Sequence, residues 1–462
     1  MYPPVGRGPT LAAMTDVLRR GRASLAFCFF AQGVAFALLV TRIPAVQNRY
    51  GISDALLPVF LAAVPVLAGA GSVATERLVR RTPPSRVLRW SQPLALLALL
   101  GVGAGDRMVQ VAVALAVFGV AVGALDAAMN MLGVSLQRAY GRSIMLGFHA
   151  AYSLGGILGA SLAWAGAHWG PALWVSYLPV VGVLVPAVLV GSRWYVDTRD
   201  RERDGTPEAA GDTGAAGAAG AVGGAGAVED AGAGAGAASA VGAGDAGKDA
   251  AGGIGFRMLL PLCLVMTFAY IGDSTVSNWS AKYVQDVLGG SERMATVPYN
   301  VYMVTTLVGR VLGDHGVRRF GAAAVVRTGA VTAAAGFAVV AAAPGAWAGM
   351  LGFTLLGLGL CVLVPQTFAA AGRLAHERYG PGASDAAVAR LNVFNYVGFL
   401  IGSPLVGALG DAWSHRGAML VPMALVLATL VHARSFGTGA DRYGDRHERS
   451  RTVDVGRGGH GL

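Results

Sequence analysis

The chain has 462 residues, of which 54% are hydrophobic and 13% charged, with a mean hydropathy of +0.54 and a formal net charge of +10. A soluble domain is typically about 25% charged, so this chain has too little polar surface to keep such a length in water. Its apolar stretches of about 20 residues match the length a helix needs to cross about 30 Å of hydrocarbon. They are continuous and rich in Ala, Leu, Val and Gly, which excludes the alternating strands of an outer-membrane barrel.

The expected fold class is therefore an all-α membrane protein with 12 transmembrane helices. The N-terminal tail, residues 1–22, is polar and basic. The first apolar run is long for a signal-peptide core and lacks a small-residue cleavage site, so it is expected to stay attached; Met14 offers a second possible start. Spans are predicted at 23–42, 55–75, 88–105, 109–132, 143–166 and 172–192, then at 257–281, 296–313, 322–343, 347–370, 388–409 and 417–433. This divides the chain into an N-terminal six-helix bundle (23–192), a linker (193–256), a C-terminal six-helix bundle (257–433) and a charged, Gly-containing tail (434–462) expected to be disordered. Residues 205–253 are almost pure Ala and Gly. Nothing there can offset the entropy of ordering a backbone, so a flexible tether is expected. Within it, GAGDAGKD (242–249) nearly matches a phosphate loop, but Asp stands where Ser or Thr must reach magnesium and no strand precedes it. No ATP motor is encoded.

The basic residues are unevenly placed. With the N-terminus inside, the outer loops hold only Arg42, Arg49, Arg107, Lys282, Arg293 and Arg416 of the 36 Lys and Arg. That asymmetry is the positive-inside rule and puts both termini in the cytoplasm of a bacterial-type inner membrane. The positive charge thus orients the protein and does not point to nucleic acid. Cys28, Cys263 and Cys361 lie far apart inside apolar runs. They make neither a disulfide framework nor a metal set, and read as small buried hydrophobes. No cofactor is expected.

The two halves repeat each other. GSVATERLVRRTPPSRVLR (71–89) aligns with GRVLGDHGVRRFGAAAVVR (309–327) with seven identities in 19 at an offset of 238, and Glu76 faces Asp314. The same offset aligns Phe30 with Phe268, Gln47 with Gln285 and Gly51 with Gly289. An even number of spans per half gives both copies one orientation. Parallel repeats of this kind are a transporter architecture, with the substrate site between them near the midplane.

The loop GRVLGDHGVRRFG after span 8 resembles the cytoplasmic signature of the major facilitator superfamily. The corresponding first-half loop is worn, with Glu76 for the acid and Pro83–Pro84 for the glycine region. Within that superfamily ALDAAMNMLG (124–133), GFHAAYSLGGILGA (147–160) and YIGDSTVSNWSAKYVQDVLGGS (270–291) are similar to the fucose-permease-like branch of bacterial transporters. The resemblance implies rocker-type alternation of two six-helix halves. It further implies that Arg80, Arg81, Arg310, Asp314, Arg318 and Arg319 are gate or structural residues that pair with neighbouring helix ends and favour the outward-open state; the plainer alternative is an ordinary positive-inside loop.

Asp273 lies about 16 residues into span 7, too deep at 1.5 Å per residue to reach either interface easily. An acid inside the membrane costs at least about 2.5 kcal/mol on insertion scales, so it usually faces a cavity. Two readings stand: a proton or substrate site whose hydration alternates, or an interhelical hydrogen bond to a neighbour such as Gln32 or Asn395. Asp126 and Asn130 are four apart on one face of span 4, and His149 enters span 5 at similar depth. They are candidates for a proton relay or inner gate, or for a structural clamp between two helices. Gln32, Gln366, Asn392 and Asn395, with Tyr270, Trp279 and Tyr396, suit a polyhydroxylated or amphiphilic solute; taken singly, each could equally be polar glue between helices. Gly155/Gly159 and Gly398/Gly402 are matched small-residue pairs for close helix packing, a close approach that alternating access would also exploit if their spans line the seam between halves.

The expectation is a monomeric secondary transporter of a small organic solute such as a sugar, with protons as the coupling ion. Proton-driven efflux of amphiphilic drugs is the alternative. A membrane sensor would need a folded cytoplasmic domain, and an enzyme a nucleophile with a partner or a metal set; neither pattern is present. Shortening residues 205–253 to a tether just long enough to join the halves should leave transport nearly intact in proteoliposomes, and its loss would give the segment a further role.

Overall fold

In the computed structural model the described residues are 11–53, 57–197, 256–291, 294 and 297–437, and among them are helices and no strand. The Ala/Gly-rich stretch 205–253 with its near-match at 242–249, residues 1–10 and the tail beyond 437 lie outside the described residues. The first half comprises α1 (Leu11–Thr41), the short α2 (Ile43–Tyr50), α3 (Leu57–Leu78), α4 (Pro84–Ala104), α5 (Met108–Tyr140), α6 (Met145–Trp169) and α7 (Leu173–Gly191). The second comprises α8 (Phe256–Lys282), α9 (Val297–Phe320), α10 (Ala322–Ala342), α11 (Ala346–Leu360), α12 (Leu363–Tyr379), α13 (Pro381–Ala412), α14 (His415–Ala418) and α15 (Leu420–His432).

Among the described residues, 10 helical stretches are long and apolar enough to cross a membrane. Helices α3, of 22 residues, and α9, of 24, fill the two remaining places between them. Helix α9 is less apolar than α3 because Tyr302, Thr306, Arg310 and Asp314 recur every four residues along one face. Several helices outrun the expected spans. Helix α1 starts at Leu11, and so carries Arg19, Arg20 and Arg22 on helical backbone. Hydropathy marks where lipid begins, whereas a helix can continue into water on its own hydrogen bonds. Span 10 is broken into α11 and α12 around Cys361 and Val362, because Pro365 has no N–H to give the carbonyl four residues back.

The repeat seen in the sequence is a repeat of packing. In the first half α1 packs on α6, α3 on α5, α4 on α5, and α4 on α7; in the second half α8 packs on α13, α9 on α11, α10 on α11, and α10 on α15. The halves meet chiefly through two equivalent pairs, α3 with α13 and α9 with α6, with α5 also against α12 and α13 and α6 against α12. Their buried apolar contacts are joined at one end only. Val79, Leu136, Met145, Leu146 and Phe148 are continuous with the second half's core, while Val34, Leu38, Leu99, Phe118 and Tyr177 form a separate cluster within the first. The joined end carries Arg80, Arg81, Arg138, Arg142 and Arg318, and is called the Arg-rich end below. Exposed Trp90 and Trp194 near this end and Trp169, Trp347 and Trp413 near the other are placed as aromatic belts at both membrane surfaces.

The paired glycines lie inside the halves, not on the seam. A Cβ at Gly155 would sit 2.0 Å from the Phe30 carbonyl oxygen and one at Gly159 2.5 Å from that of Val34, both on α1. A Cβ at Gly398 would be 2.5 Å from the Thr267 oxygen and one at Gly402 2.9 Å from Ile271, both on α8. These four positions set the α1–α6 and α8–α13 crossings, where backbone touches backbone. Gly155→Ala should therefore destabilise the detergent-purified protein: overpacking costs about 1–3 kcal/mol, which exceeds the gain of at most about 1 kcal/mol from better helix propensity. Gly156→Ala, with nothing within 4 Å of the added carbon, should leave the thermal midpoint unchanged or raise it.

Candidate functional site

Asp126, half-buried in the middle of α5, takes side-chain hydrogen bonds from both halves. Its Oδ1 accepts from Gln32 Nε2 at 3.1 Å, from α1 of its own half. Its Oδ2 accepts from Asn395 Nδ2 at 3.2 Å and from the Tyr396 hydroxyl at 2.9 Å, both on α13 of the other half. Asn395 Nδ2 also donates to Asn392 Oδ1 at 2.9 Å, Asn392 Nδ2 donates to Ser72 Oγ on α3 at 3.2 Å, and Ser72 Oγ donates to the Ala389 carbonyl at 3.1 Å. One turn along α5, Asn130 Nδ2 donates to the Asp126 main-chain carbonyl at 2.8 Å. The amide nitrogens thus turn toward Asp126 and its helix. That leaves the carbonyl oxygens Gln32 Oε1, Asn130 Oδ1 and Asn395 Oδ1 buried with no partner. Each is an acceptor that stays costly until a donor reaches it.

The second acid has a different setting. Asp273, half-buried on α8, accepts a 2.5 Å hydrogen bond from the Tyr302 hydroxyl on α9 of the same half. Arg310 lies two turns beyond Tyr302 and reaches across the seam. Its Nη1 donates to Ser153 Oγ at 2.6 Å and to the His149 carbonyl at 3.2 Å, both on α6, and its Nε is buried without a partner. Arg310 also stands within electrostatic reach of Asp273, as do Tyr270, Tyr299 and Tyr152. The ring of His149 lies edge-on to Phe29, centroids 5.3 Å apart, and stacks at 6.3 Å on Phe368 of the other half; its Nε2 has no partner.

The Arg-rich end is latched. Asp314, 7% exposed, reaches from α9 to the N-terminus of α6, where it accepts from Ser143 Oγ at 2.6 Å and from the main-chain N–H groups of Gly147 and Leu146 at 2.9 and 3.4 Å. A carboxylate so placed against a helix N-terminus contributes about 1–2 kcal/mol. Arg318 Nη1 donates to the Ser143 carbonyl at 3.0 Å. The first-half counterpart of Asp314, Glu76 on α3, pairs with Arg390 of α13 at 2.7 Å, and Arg138 Nη1 donates to Ser384 Oγ at 2.6 Å. The hydrogen bonds between the halves described above lie at this end or in mid-bundle.

The candidates named from sequence are therefore sorted by the fold. Asp126, Gln32, Asn392, Asn395 and Tyr396 come together, with Asn130 against the same helix. His149 is not hydrogen-bonded into that group: phenylalanine rings hold it beside Arg310, because it enters α6 on the face turned to α9. Gln32 and Asn395, considered above as partners for Asp273, bond Asp126 instead. Gln366 is buried in α12 with Nε2 unpartnered. Trp279 lies toward the other end, its ring 6.1 Å from that of His415. Arg80 and Arg81 are exposed and Arg319 lies beside the Phe320 ring, 5.5 Å from its centroid. Sequence reasoning missed Tyr302, Ser153, Ser72, Arg138 and the Glu76–Arg390 pair. The polar residues every fourth position on α9, and the 238-residue offset that puts Ser72 against Arg310 and Glu76 against Asp314, were the available signals. No group able to hold a metal ion is present among the described residues.

Two like-oriented six-helix bundles, latched at one end and sharing a buried polar centre, have the architecture of a membrane transporter. The Major Facilitator Superfamily profile matches residues 262–454. An uncharacterised MFS-type transporter of Yersinia pestis is 26% identical over 414 residues, spanning 90% of this chain and 95% of that one. Among solved structures, FucP in its outward conformation superimposes with a TM-score of 0.69 at 16% identity over 90% of this chain and 98% of that one. The proton:xylose symporter XylE does so with a TM-score of 0.64 at 12% identity, over 91% and 96%. The chain has the fold of these transporters and resembles members of the major facilitator superfamily over nearly its whole length.

If Asp314 holds the Arg-rich end shut, Asp314→Asn should open it more often. A cysteine at buried Ser384 should then react faster with a membrane-permeant maleimide than in Ser384→Cys alone. The native Cys28, Cys263 and Cys361, at 0%, 0% and 1% exposure, should stay unlabelled.

Proposed function

We propose that the protein is a proton-coupled transporter of a small hydroxyl-rich solute, a sugar or related metabolite, acting as a monomer in the bacterial inner membrane with both termini in the cytoplasm. The observation that carries this reading is the pair of properties at Asp126: donors from both halves meet on one carboxylate, and three buried amide carbonyls around it have no donor. Hydroxyl groups of a polyol are donors of the right kind, and Tyr270 and Tyr396 offer faces for its apolar side. The two structural neighbours described as proton symporters, FucP for fucose and XylE for xylose, support the same class.

Proton coupling follows from the chemistry of the carboxyl group. An ionised Asp126 is acceptor-only and can serve Gln32, Asn395 and Tyr396 together; once protonated it must spend one position on an O–H donor. The bonds across the seam then weaken, and the balance between the two arrangements of the halves shifts. With the Arg-rich end in the cytoplasm, the latched arrangement faces outward. Asp273 is the second candidate carrier. Its surround of Tyr270, Tyr299 and Tyr302 favours one other reading, efflux of an amphiphilic organic cation, since an acid among aromatic faces suits such a ligand.

A thermal-shift screen of the purified protein against sugars, polyols and organic cations separates the two solute classes. In proteoliposomes a pH difference of one unit should drive about tenfold accumulation for one proton per solute. Asp126→Asn should reduce that to simple equilibration while exchange across the membrane persists. Full accumulation by this variant would remove Asp126 from coupling, and stabilisation by cations alone would replace the sugar reading.

A further inference from the structure

One feature of the membrane-facing surface is independent of the transport site. Between α1 and α7, at the Arg-rich end, lies a hollow of about 670 Å³, within the about 300–1,000 Å³ of ligand sites. Arg20, Ala23 and Phe27 form one wall and Pro186, Ala187 and Trp194 the other. Small residues leave the space, since Ala23 and Ser24 of α1 and Ala187 and Gly191 of α7 all line it. Arg20, Ala23 and Phe27 follow the helical spacing of three and four, so one face of α1 runs from a guanidinium into an apolar floor. Arg20 is exposed and has no hydrogen bond or ion pair among the described residues; the same holds for Arg193, next to Trp194 in the chain.

We propose that this hollow binds an anionic phospholipid of the leaflet on the Arg-rich side, one acyl chain lying between α1 and α7 and the phosphate on Arg20. Three observations combine. The floor is apolar and sits within helices that cross the bilayer, so hydrocarbon, not water, fills it. The mouth carries the Arg20 guanidinium, without a partner among the described residues, and basic pockets between membrane helices on this side are sites for anionic headgroups. Trp194, 42% exposed, marks the interface level at which that headgroup lies. A zwitterionic lipid brings its own cation to the same place and meets the guanidinium with no net attraction, so the site selects by charge.

The full-length protein in nanodiscs tests this, with phosphatidylglycerol or phosphatidylcholine as the only lipid. Phosphatidylglycerol should raise the thermal midpoint of the wild type above its value in phosphatidylcholine. Arg20→Gln, which removes the charge at an exposed position, and Ala23→Phe, which fills the hollow and keeps the charge, should each abolish that difference while matching the wild-type midpoint in phosphatidylcholine. Native mass spectrometry should find phosphatidylglycerol retained by the wild type and lost from both variants, and it serves as the readout should Ala23→Phe be less stable. No lipid-dependent shift in the wild type overturns the proposal. So does a shift that survives Ala23→Phe, which would leave only general attraction to an anionic surface.

Discussion

Hydrocarbon offers no hydrogen-bond partner, so a polar side chain inside these bundles must find one on another helix. Everything distinctive about the interior follows from that constraint. The polar residues fall every fourth position along a few helices: Tyr302, Thr306, Arg310 and Asp314 on α9, Asp126, Asn130 and Arg138 on α5, His149 and Ser153 on α6. Each stripe faces a stripe on another helix. Arg310 meets Ser153, Asp314 meets the start of α6, and Asp126 meets Asn395 and Tyr396. The seam between the halves is the place where these stripes find each other, and the lipid-facing surfaces are left to Val, Leu and Trp.

Duplication explains why the seam is balanced. The α9–α6 and α3–α13 contacts are the same contact made twice, with Asp314 and Glu76 at equivalent places in the two copies. The chemistry has diverged where the architecture has not. Asp314 is held by main-chain N–H groups at a helix end, whereas Glu76 has acquired a charged partner, Arg390, at 2.7 Å. At the next equivalent position Arg310 spans the seam with a guanidinium, while Ser72 does so with a hydroxyl to Asn392. Either solution satisfies a buried polar group, so the packing of the ancestral repeat survived the change of residues.

The fold was legible because its signals are collective. Twelve apolar runs, the bias of Lys and Arg and the aligned loops at 71–89 and 309–327 each sum over many residues, and the structure keeps that architecture. The site was legible in kind and less so in detail. Asp126, Asn392, Asn395 and Tyr396 stood out as polar residues in apolar runs, but which acid they would join depends on how α5 and α13 are rotated, and no single-residue pattern carries that. Tyr302 escaped because a tyrosine in a membrane span is common and its hydroxyl became informative only when found 2.5 Å from Asp273. At the glycine pairs of α6 and α13, backbone lies against backbone. Their place inside each half follows from their neighbours, Phe30 and Val34 on one side and Thr267 and Ile271 on the other, which belong to the same bundle.

Depth in the membrane singled out Asp273 in the sequence, yet depth alone does not couple a proton to a movement. An acid does so only if its two protonation states weigh the two arrangements of the halves differently. The hydrogen bond of Asp273 comes from Tyr302, a neighbour in the same bundle that travels with it. The carboxylate of Asp126 takes two of its three side-chain donors from the opposite bundle, so parting the halves would strip it of Asn395 and Tyr396 and leave Gln32 alone. The same parting would take Arg310 away from Ser153 and the His149 carbonyl, leaving its guanidinium to the acids of its own half, Asp273 and, one turn along α9, Asp314. Under the proposed alternation a single motion therefore removes hydrogen-bond donors from one carboxyl and leaves a guanidinium free to approach the other, so the two acids would respond to it in opposite senses.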